Sequence, residues 1–158
     1  MKVVSKQKSP SGGFRGLQTL TIFKVNSETR IELPFIEEGI KAGFPSPAQD
    51  YEKQSIDINE VLIRHPASTF FARVDGDSLY ETGIFNGDIV VIDKSLEPQE
   101  GNKVVAFIDG EFVMKTIRKG KDVLFLVPAN PEFETITVTP DQQFVVWGVV
   151  THVIHKFL

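Results

Sequence analysis

The chain of 158 residues contains no cysteine, which excludes disulfide bonds and thiolate metal sites. No apolar run approaches the length of a membrane-spanning helix, and the first residues lack the apolar core of a signal peptide. A hydrophobic content of 41% and a charged content of 24% are ordinary for a globular protein of this length. We therefore expect a cytoplasmic protein with no membrane contact.

Basic charge is also scarce in most of the chain. Residues 42–158 contain ten Lys/Arg against seventeen Asp/Glu, whereas residues 1–41 contain seven against four. No helix-turn-helix pattern and no glycine-rich phosphate loop is present. We therefore expect no strong direct binding to nucleic acid. Because Asp75, Asp77 and Asp88 suit turn capping better than metal binding, we also expect no metal and no other cofactor.

Short β segments separated by Gly, Pro and Asn dominate the pattern. Two short strands are predicted within residues 14–24 and 30–36. Further strands are predicted at 69–74, 88–93, 103–109, 111–118, 122–127, 134–138 and 144–156. Residues 144–150, in the last of these strands, are also a candidate dimer element. The pattern indicates a mainly β fold, a compact antiparallel and partly barrel-like domain.

Two other segments complete the predicted organisation. Asp57, with Glu60 three residues later, predicts the N-cap of a short helix whose Ile58, Val61 and Leu62 face the core. The proline-flanked residues 127–131 predict a rigid loop with a structural role. We divide the chain into an N-terminal extension and flexible arm over residues 1–50 and a main domain over residues 51–158.

Ser78 follows a predicted strand, in the glycine-punctuated sequence Asp75-Gly-Asp-Ser. A serine at such a corner projects from a rigid scaffold, and the backbone N–H groups of Asp77 and Ser78 could receive a developing oxyanion. Plain turn chemistry explains the same residues equally simply. The pattern alone leaves both interpretations open.

Lys115 lies on a predicted strand that follows the hairpin signal Asp109-Gly110. Its face also carries Val113 and Ile117, so burial would lower the lysine pKa towards the range of a general base. In the alternative, the lysine extends its ammonium to water. A neutral lysine beside a serine can perform hydrolysis without histidine, and no histidine lies within ten residues of either side chain in sequence.

Residues 37–50 combine two prolines with two glycines, which favours an extended backbone over a helix. Proteases bind extended backbone, usually by strand pairing. Ala42 is small, and Gly43 after it would leave a nucleophile open access. Without further information the same composition describes a plain linker.

From about Pro34 onward the chain resembles the LexA/UmuD family of self-cleaving serine peptidases. The resemblance rests on a series of motifs in matching order, namely Ala42-Gly-Phe-Pro-Ser-Pro-Ala-Gln-Asp-Tyr51, Ile56-Asp-Ile-Asn59, His65-Pro-Ala-Ser68, Gly76-Asp-Ser78, Gly83-Ile-Phe-Asn-Gly-Asp88, Asp109-Gly-Glu-Phe-Val-Met-Lys115 and Trp147-Gly-Val-Val-Thr-His-Val153. Leu79 replaces the methionine that commonly follows the serine. About thirty residues at the start have no counterpart in the family pattern.

The resemblance implies a LexA/UmuD-type peptidase domain with Ser78 as nucleophile, Lys115 as general base and the bond between Ala42 and Gly43 as the cleaved bond. It further implies an SOS-response protein whose cleavage is promoted by a RecA filament on single-stranded DNA. The trimmed product would act as a homodimeric subunit of a UmuC-like translesion polymerase.

Three other functions are compatible with parts of the pattern. A LexA-type transcriptional repressor would share the cleavage switch but would need a DNA-binding motif. A signal peptidase would share the Ser/Lys chemistry but would need a membrane anchor. A non-catalytic interaction module would have an inert Ser78.

Overall fold

The computed structural model describes residues 21–24, 32–35 and 54–158. Within these residues the elements in chain order are β1 (Thr21–Lys24), β2 (Glu32–Phe35), β3 (Gln54–Asp57), α1 (Ile58–Leu62), β4 (Thr69–Arg73), a 3-10 turn (Tyr80–Thr82), β5 (Ile89–Asp93), β6 (Lys103–Ile108), β7 (Glu111–Lys119), β8 (Leu124–Val127), β9 (Ile136–Val138) and β10 (Phe144–Ile154). The mainly β class is confirmed. No helix in these ranges is long and apolar enough to cross a membrane.

The main sheet has eight strands in the order β1-β4-β5-β10-β6-β7-β8-β9. Every neighbouring pair is antiparallel. Among the described strands β1 and β9 form the two edges, so the sheet is not closed into a barrel. β2 and β3 pair separately in a two-stranded sheet.

β10 joins the two halves of the main sheet. Its first part pairs with β6 and its second part with β5, and the register shifts at Trp147 and again at Thr151. Such bulges bend a strand and increase its twist. Gly148 lies at the junction, where an added Cβ would stand 2.6 Å from Cγ2 of Ile92. The bend therefore depends on a close backbone approach that glycine permits.

β6 and β7 are buried on both faces, as the sequence of β7 predicted. Alternate residues of these strands enter two different hydrophobic clusters. Val105 and Met114 belong to the first cluster, and Val104 and Val113 belong to the second. Lys115 therefore lies on a strand that is packed on both sides.

The turn between β6 and β7 has the predicted chemistry. Asp109 and Gly110 have φ of 48° and 93°, and Ile108 pairs with Glu111 on either side. Positive φ at both central positions is the signature of the two-residue hairpin turn that Asp-Gly favours. The hairpin prediction is confirmed, and it fixes the register that places Lys115.

The short helix is placed correctly, but its predicted inner face is wrong. The Asp57 carboxylate accepts a hydrogen bond from Asn59 N at 2.9 Å, which confirms the N-cap. However, Ile58 and Val61 are 46% and 42% exposed, and of the three predicted residues only Leu62 is half-buried. A helix of five residues is too short to fix a stripe towards the core, and among the described elements it packs mainly against β3.

The predicted strands from residue 69 onward are all present, with ends that differ by a few residues. β1 and β2 fall inside the two predicted N-terminal strand regions. β3 was not predicted, because Gln-Ser-Ile-Asp has little β character without its partner β2. The predicted arm, residues 37–50, lies outside the described residues.

Candidate active site

Ser78 lies in a loop that leaves the sheet between β4 and β5. The base of the loop is closed by two backbone hydrogen bonds, from Val74 N to Asp88 O at 2.8 Å and from Gly87 N to Val74 O at 2.9 Å. Gly76 has a φ of 116°, which allows the chain to turn immediately before Ser78. The position of Ser78 is therefore set by a loop anchored to two buried strands.

The Ser78 side chain points inward to β7. Ser78 has 0% exposure, and its Oγ donates to the carbonyl oxygen of Met114 at 3.3 Å. The neighbouring Leu79 also has 0% exposure and packs into the first hydrophobic cluster. The structure thus brings the Ser78 hydroxyl to the backbone of the residue directly before Lys115.

Lys115 is 5% exposed, so the alternative in which its ammonium extends to water is wrong. Within the described part of the chain no carboxylate pairs with it. Its Nζ lies 5.2 Å from the ring centroid of Phe133. Burial lowers the pKa of Lys115 to about 8, because the charged form loses hydration. A substantial fraction of this amine is therefore neutral slightly above neutral pH.

The loop of residues 128–133 connects both candidate groups. Ala129 N donates to Ser78 O at 2.7 Å, and Ala129 O accepts from Glu81 N at 2.9 Å. Asn130 Nδ2 donates to Asp77 O at 3.1 Å. Phe133 in the same loop faces Lys115. Sequence reasoning gave this segment only a structural role, and no local signal in the sequence marks Asn130 as a partner of the Ser78 turn.

The amide groups predicted to form an oxyanion site lie in the turn that carries Ser78. The Asp77 and Ser78 N–H groups donate to no described residue, although the neighbouring Gly76 N donates to Asn86 Oδ1 at 3.2 Å. Two adjacent donors with no acceptor among the described residues, beside a serine hydroxyl, are suited to an anionic oxygen.

All three histidines lie in the described ranges, and none hydrogen-bonds Ser78 or Lys115. His65 Nδ1 and His155 Nδ1 each lie 2.5 Å from a buried carboxylate, of Asp93 and Asp88 respectively. His152 Nδ1 contacts Thr151 Oγ1 at 3.0 Å. These residues pair with partners elsewhere, whereas Lys115 directly follows Met114, whose carbonyl oxygen accepts the hydrogen bond from Ser78.

Other predicted site residues have separate outcomes. Asp88 Oδ2 accepts from Phe85 N at 2.9 Å, so the turn-capping interpretation of this aspartate is confirmed. In the described ranges no three His, Asp or Glu side chains form a group that could hold a metal. Ala42 and Gly43 lie outside the described residues.

Comparison with known proteins gives a consistent result. Residues 34–151 match the Peptidase S24-like family. The chain is 42% identical over 133 residues to Protein MucA of Salmonella typhimurium, covering 83% of this chain and 90% of that protein. It is 43% identical over 124 residues to Protein ImpA of Escherichia coli, covering 78% and 83%. LexA repressor 2 of Xanthomonas axonopodis pv. citri is 33% identical over 137 residues, covering 85% and 63%.

The family match begins within β2, ends within β10, and includes both Ser78 and Lys115. The relatives extend the resemblance that the sequence motifs indicated to most of the chain. The chain therefore belongs to the Peptidase S24-like family, the group that contains the LexA/UmuD proteins.

Proposed function

We propose that the protein is a self-cleaving serine endopeptidase in which Ser78 is the nucleophile and Lys115 the general base. The observation that carries this proposal is a buried lysine without a charge partner among the described residues, one residue after the carbonyl that binds the Ser78 hydroxyl. An amine in this environment loses its proton more readily than a solvated lysine. Membership of a peptidase family supports the same assignment.

The proposed reaction proceeds through an acyl-enzyme. Neutral Lys115 takes the proton from Ser78 Oγ as this oxygen bonds to the carbonyl carbon of Ala42. The oxyanion accepts hydrogen bonds from the N–H groups of Asp77 and Ser78. The bond between Ala42 and Gly43 breaks, and the amine of Gly43 leaves with the proton that Lys115 returns. Water, deprotonated by Lys115, then hydrolyses the ester on Ser78.

The burial of Ser78 favours a substrate in the same chain. A hydroxyl with 0% exposure is not open to any passing peptide. Residues 36–53, which contain Ala42 and Gly43, connect β2 to β3, and the register pairs Phe35 with Gln54 at the two ends. A cleavable segment tethered on both sides has a high effective concentration at the site. This supports self-processing over general proteolysis.

The biological setting is proposed from the family. The resemblance supports an SOS-response protein in the cytoplasm whose cleavage a RecA filament on single-stranded DNA promotes. The trimmed homodimeric product would then serve a UmuC-like translesion polymerase in error-prone DNA repair. MucA, ImpA and SamA are the relatives that support this function over other uses of the same chemistry.

A LexA-type transcriptional repressor is the second candidate, because LexA repressor 2 is 33% identical to this chain. The match covers 63% of that protein, so more than a third of it has no counterpart here. The sequence contains no helix-turn-helix pattern, and residues 42–158 are acidic. Sequence-specific operator binding by the uncleaved chain would favour this candidate.

The proposed function is tested by the intact mass of the purified protein. Incubation at raised pH, or with RecA filament, should yield a product that begins at Gly43. Ser78→Ala should abolish the product at every pH while the protein stays folded. Gly43→Glu should block cleavage by crowding the path of attack. Cleavage at a different bond, or cleavage that persists in Ser78→Ala, would refute the proposal.

A further inference from the structure

The loop of residues 128–133 contacts the Ser78 turn at three points. Ala129 bonds the Ser78 carbonyl and the Glu81 N–H, and the Asn130 side chain bonds the Asp77 carbonyl. These bonds hold the backbone on both sides of the serine. The turn therefore takes its position from this loop as well as from β4 and β5.

The loop also has a rigid internal structure that places Phe133. Phe133 N donates to Asn130 O at 3.1 Å, and Glu132 N donates to Asn130 Oδ1 at 3.0 Å. Asn130 thus fixes the loop with its carbonyl and side-chain oxygens while its Nδ2 binds Asp77. This arrangement directs the Phe133 ring to within 5.2 Å of Lys115 Nζ.

We infer that residues 128–133 form a positioning loop for the proposed dyad, in which Asn130 acts on Ser78 through Asp77 and Phe133 acts on Lys115. Phe133 covers the amine and keeps water from it. Asn130 couples the two actions, because the same side chain binds the serine turn and shapes the segment that bears Phe133. The catalytic role of the loop rests on the proposed function. Its effect on the Ser78 turn and on the Lys115 amine can be measured whether or not the protein cleaves itself.

The charged groups on the surrounding elements do not provide an alternative explanation for the state of Lys115. Lys103 lies on β6, Asp77 lies beside Ser78, and Glu132 and Glu134 flank Phe133. None of them forms an ion pair with Lys115. Burial is the cause that lowers its pKa, so uncovering the amine should raise the pKa towards the usual lysine value.

The test is an NMR titration of the Lys115 side chain in the intact Ser78→Ala protein, where cleavage cannot interfere. Phe133→Ala removes the cover, so the Lys115 titration should move to higher pH. Phe133→Leu keeps apolar bulk but loses the ring that attracts an ammonium, so the titration should stay in place or move slightly lower. Thr135→Ala is the matched control, because Thr135 is exposed, uncharged and in the same segment between β8 and β9. It should leave the Lys115 titration unchanged.

Asn130→Ala tests the coupling between the two groups. The Asn130 side chain bonds the Asp77 carbonyl and the Glu132 N–H. Its removal should release Phe133 from its position and so raise the pKa of Lys115. An unchanged titration in Phe133→Ala or in Asn130→Ala would overturn the inference. Backbone NMR spectra of each variant show whether it is folded. If Phe133→Ala is not folded, the Lys115 titration is compared between Phe133→Leu and the protein that keeps Phe133.

The cleavage assay separates this inference from the proposed function. Here Phe133→Ala is made in protein that keeps Ser78. For each pH unit by which this variant raises the Lys115 pKa, its cleavage rate at neutral pH should fall about tenfold below that of the wild type. The deficit should shrink at higher pH, where the amine is neutral in both proteins. If the wild type shows no Ser78-dependent cleavage, the proposed function fails, whereas the NMR titrations still decide the positioning role.

Discussion

Three buried ionisable side chains of this protein are stabilised in different ways. Asp88 and Asp93, each 3% exposed, have a histidine partner 2.5 Å away and further hydrogen bonds. Lys115, 5% exposed, has an aromatic ring beside it and no ion pair within the described residues. A buried charge without a partner is costly, and the neutral form removes that cost. Burial in the fold therefore lowers the pKa of Lys115.

Asp93 provides a residue-scale prediction about acid stability. Burial raises its pKa, but hydrogen bonds from Ser95, His65 and Ser68 outweigh burial and lower the pKa to about 2. Because the folded pKa is below the value of 3.8 expected when unfolded, the unfolded state takes up the proton first. The stabilisation is present above about pH 4 and is lost as the pH falls to about 2.

The measurement is the free energy of unfolding of wild type and Asp93→Asn between about pH 6 and about pH 2. The wild type should be more stable at pH 6, and the difference should shrink towards pH 2. Asp122→Asn, at an exposed aspartate, is the control and should change little. A difference that stays constant across this range would show that the Asp93 charge does not contribute to acid stability.

At the scale of elements, local chemistry determined which features the sequence could predict. The β6–β7 hairpin follows from Asp109 and Gly110 alone, since their positive φ values suit few other pairs. The apolar neighbours of Lys115 on β7 were compatible with its burial, although the pattern also allowed an ammonium extended to water. The short segments thus marked Ser78 and Lys115 as candidates, and the family resemblance gave them their expected roles.

The features that the sequence did not reveal depend on distant contacts. β3 is a strand only because β2 pairs with it, and the exposure of Ile58 and Val61 on α1 depends on how the helix packs in the folded protein. The role of Asn130 depends on a hydrogen bond to Asp77, which lies far away in sequence. No local pattern reports which carbonyl a side chain will meet after folding.

Gly148 gives a prediction for the bent strand β10. A Cβ at this position would stand 2.6 Å from Ile92 Cγ2 and 3.2 Å from the Asp93 carbonyl oxygen. Gly148→Ala should therefore destabilise the protein by roughly 1–3 kcal/mol through overpacking. Chemical denaturation measures this. Val145→Ala, on the same strand but 52% exposed, should cost much less, and equal losses in both variants would refute the packing argument.

At the scale of the whole molecule, β1 and β2 precede the proposed cleavage site but join the described sheets. β1 pairs with β4 at the edge of the main sheet, and β2 pairs with β3. Cleavage after Ala42 would separate both strands covalently from the rest. The two hydrophobic clusters are built from residues 72–149, so their buried members remain together in the product.

A fragment of residues 43–158 should therefore fold independently, with lower stability than the full chain because an edge strand and the partly buried Ile22 are lost. Thermal unfolding followed by circular dichroism compares the fragment with uncleaved Ser78→Ala protein. A cooperative transition at a reduced temperature is expected. A fragment without a cooperative transition would show that the N-terminal strands are essential to the fold and would argue against a functional trimmed product.

The proposed reaction as a whole depends on a serine that a buried lysine activates. Lys115→Met preserves much of the side-chain length and removes the amine, so the domain should stay folded while cleavage falls by orders of magnitude. Lys121→Met, at an exposed lysine, is the matched control and should cleave like the wild type.

The decisive measurement is the rate of formation of the product that begins at Gly43, followed by intact mass from about pH 6 to about pH 10. The wild-type rate should increase about tenfold per pH unit and level off above the Lys115 pKa of about 8, because only the neutral amine accepts the Ser78 proton. Lys115→Met should show no such rise. Cleavage by Lys115→Met at near wild-type rates, or a wild-type inflection near the histidine pKa of about 6.5, would contradict the Ser/Lys mechanism.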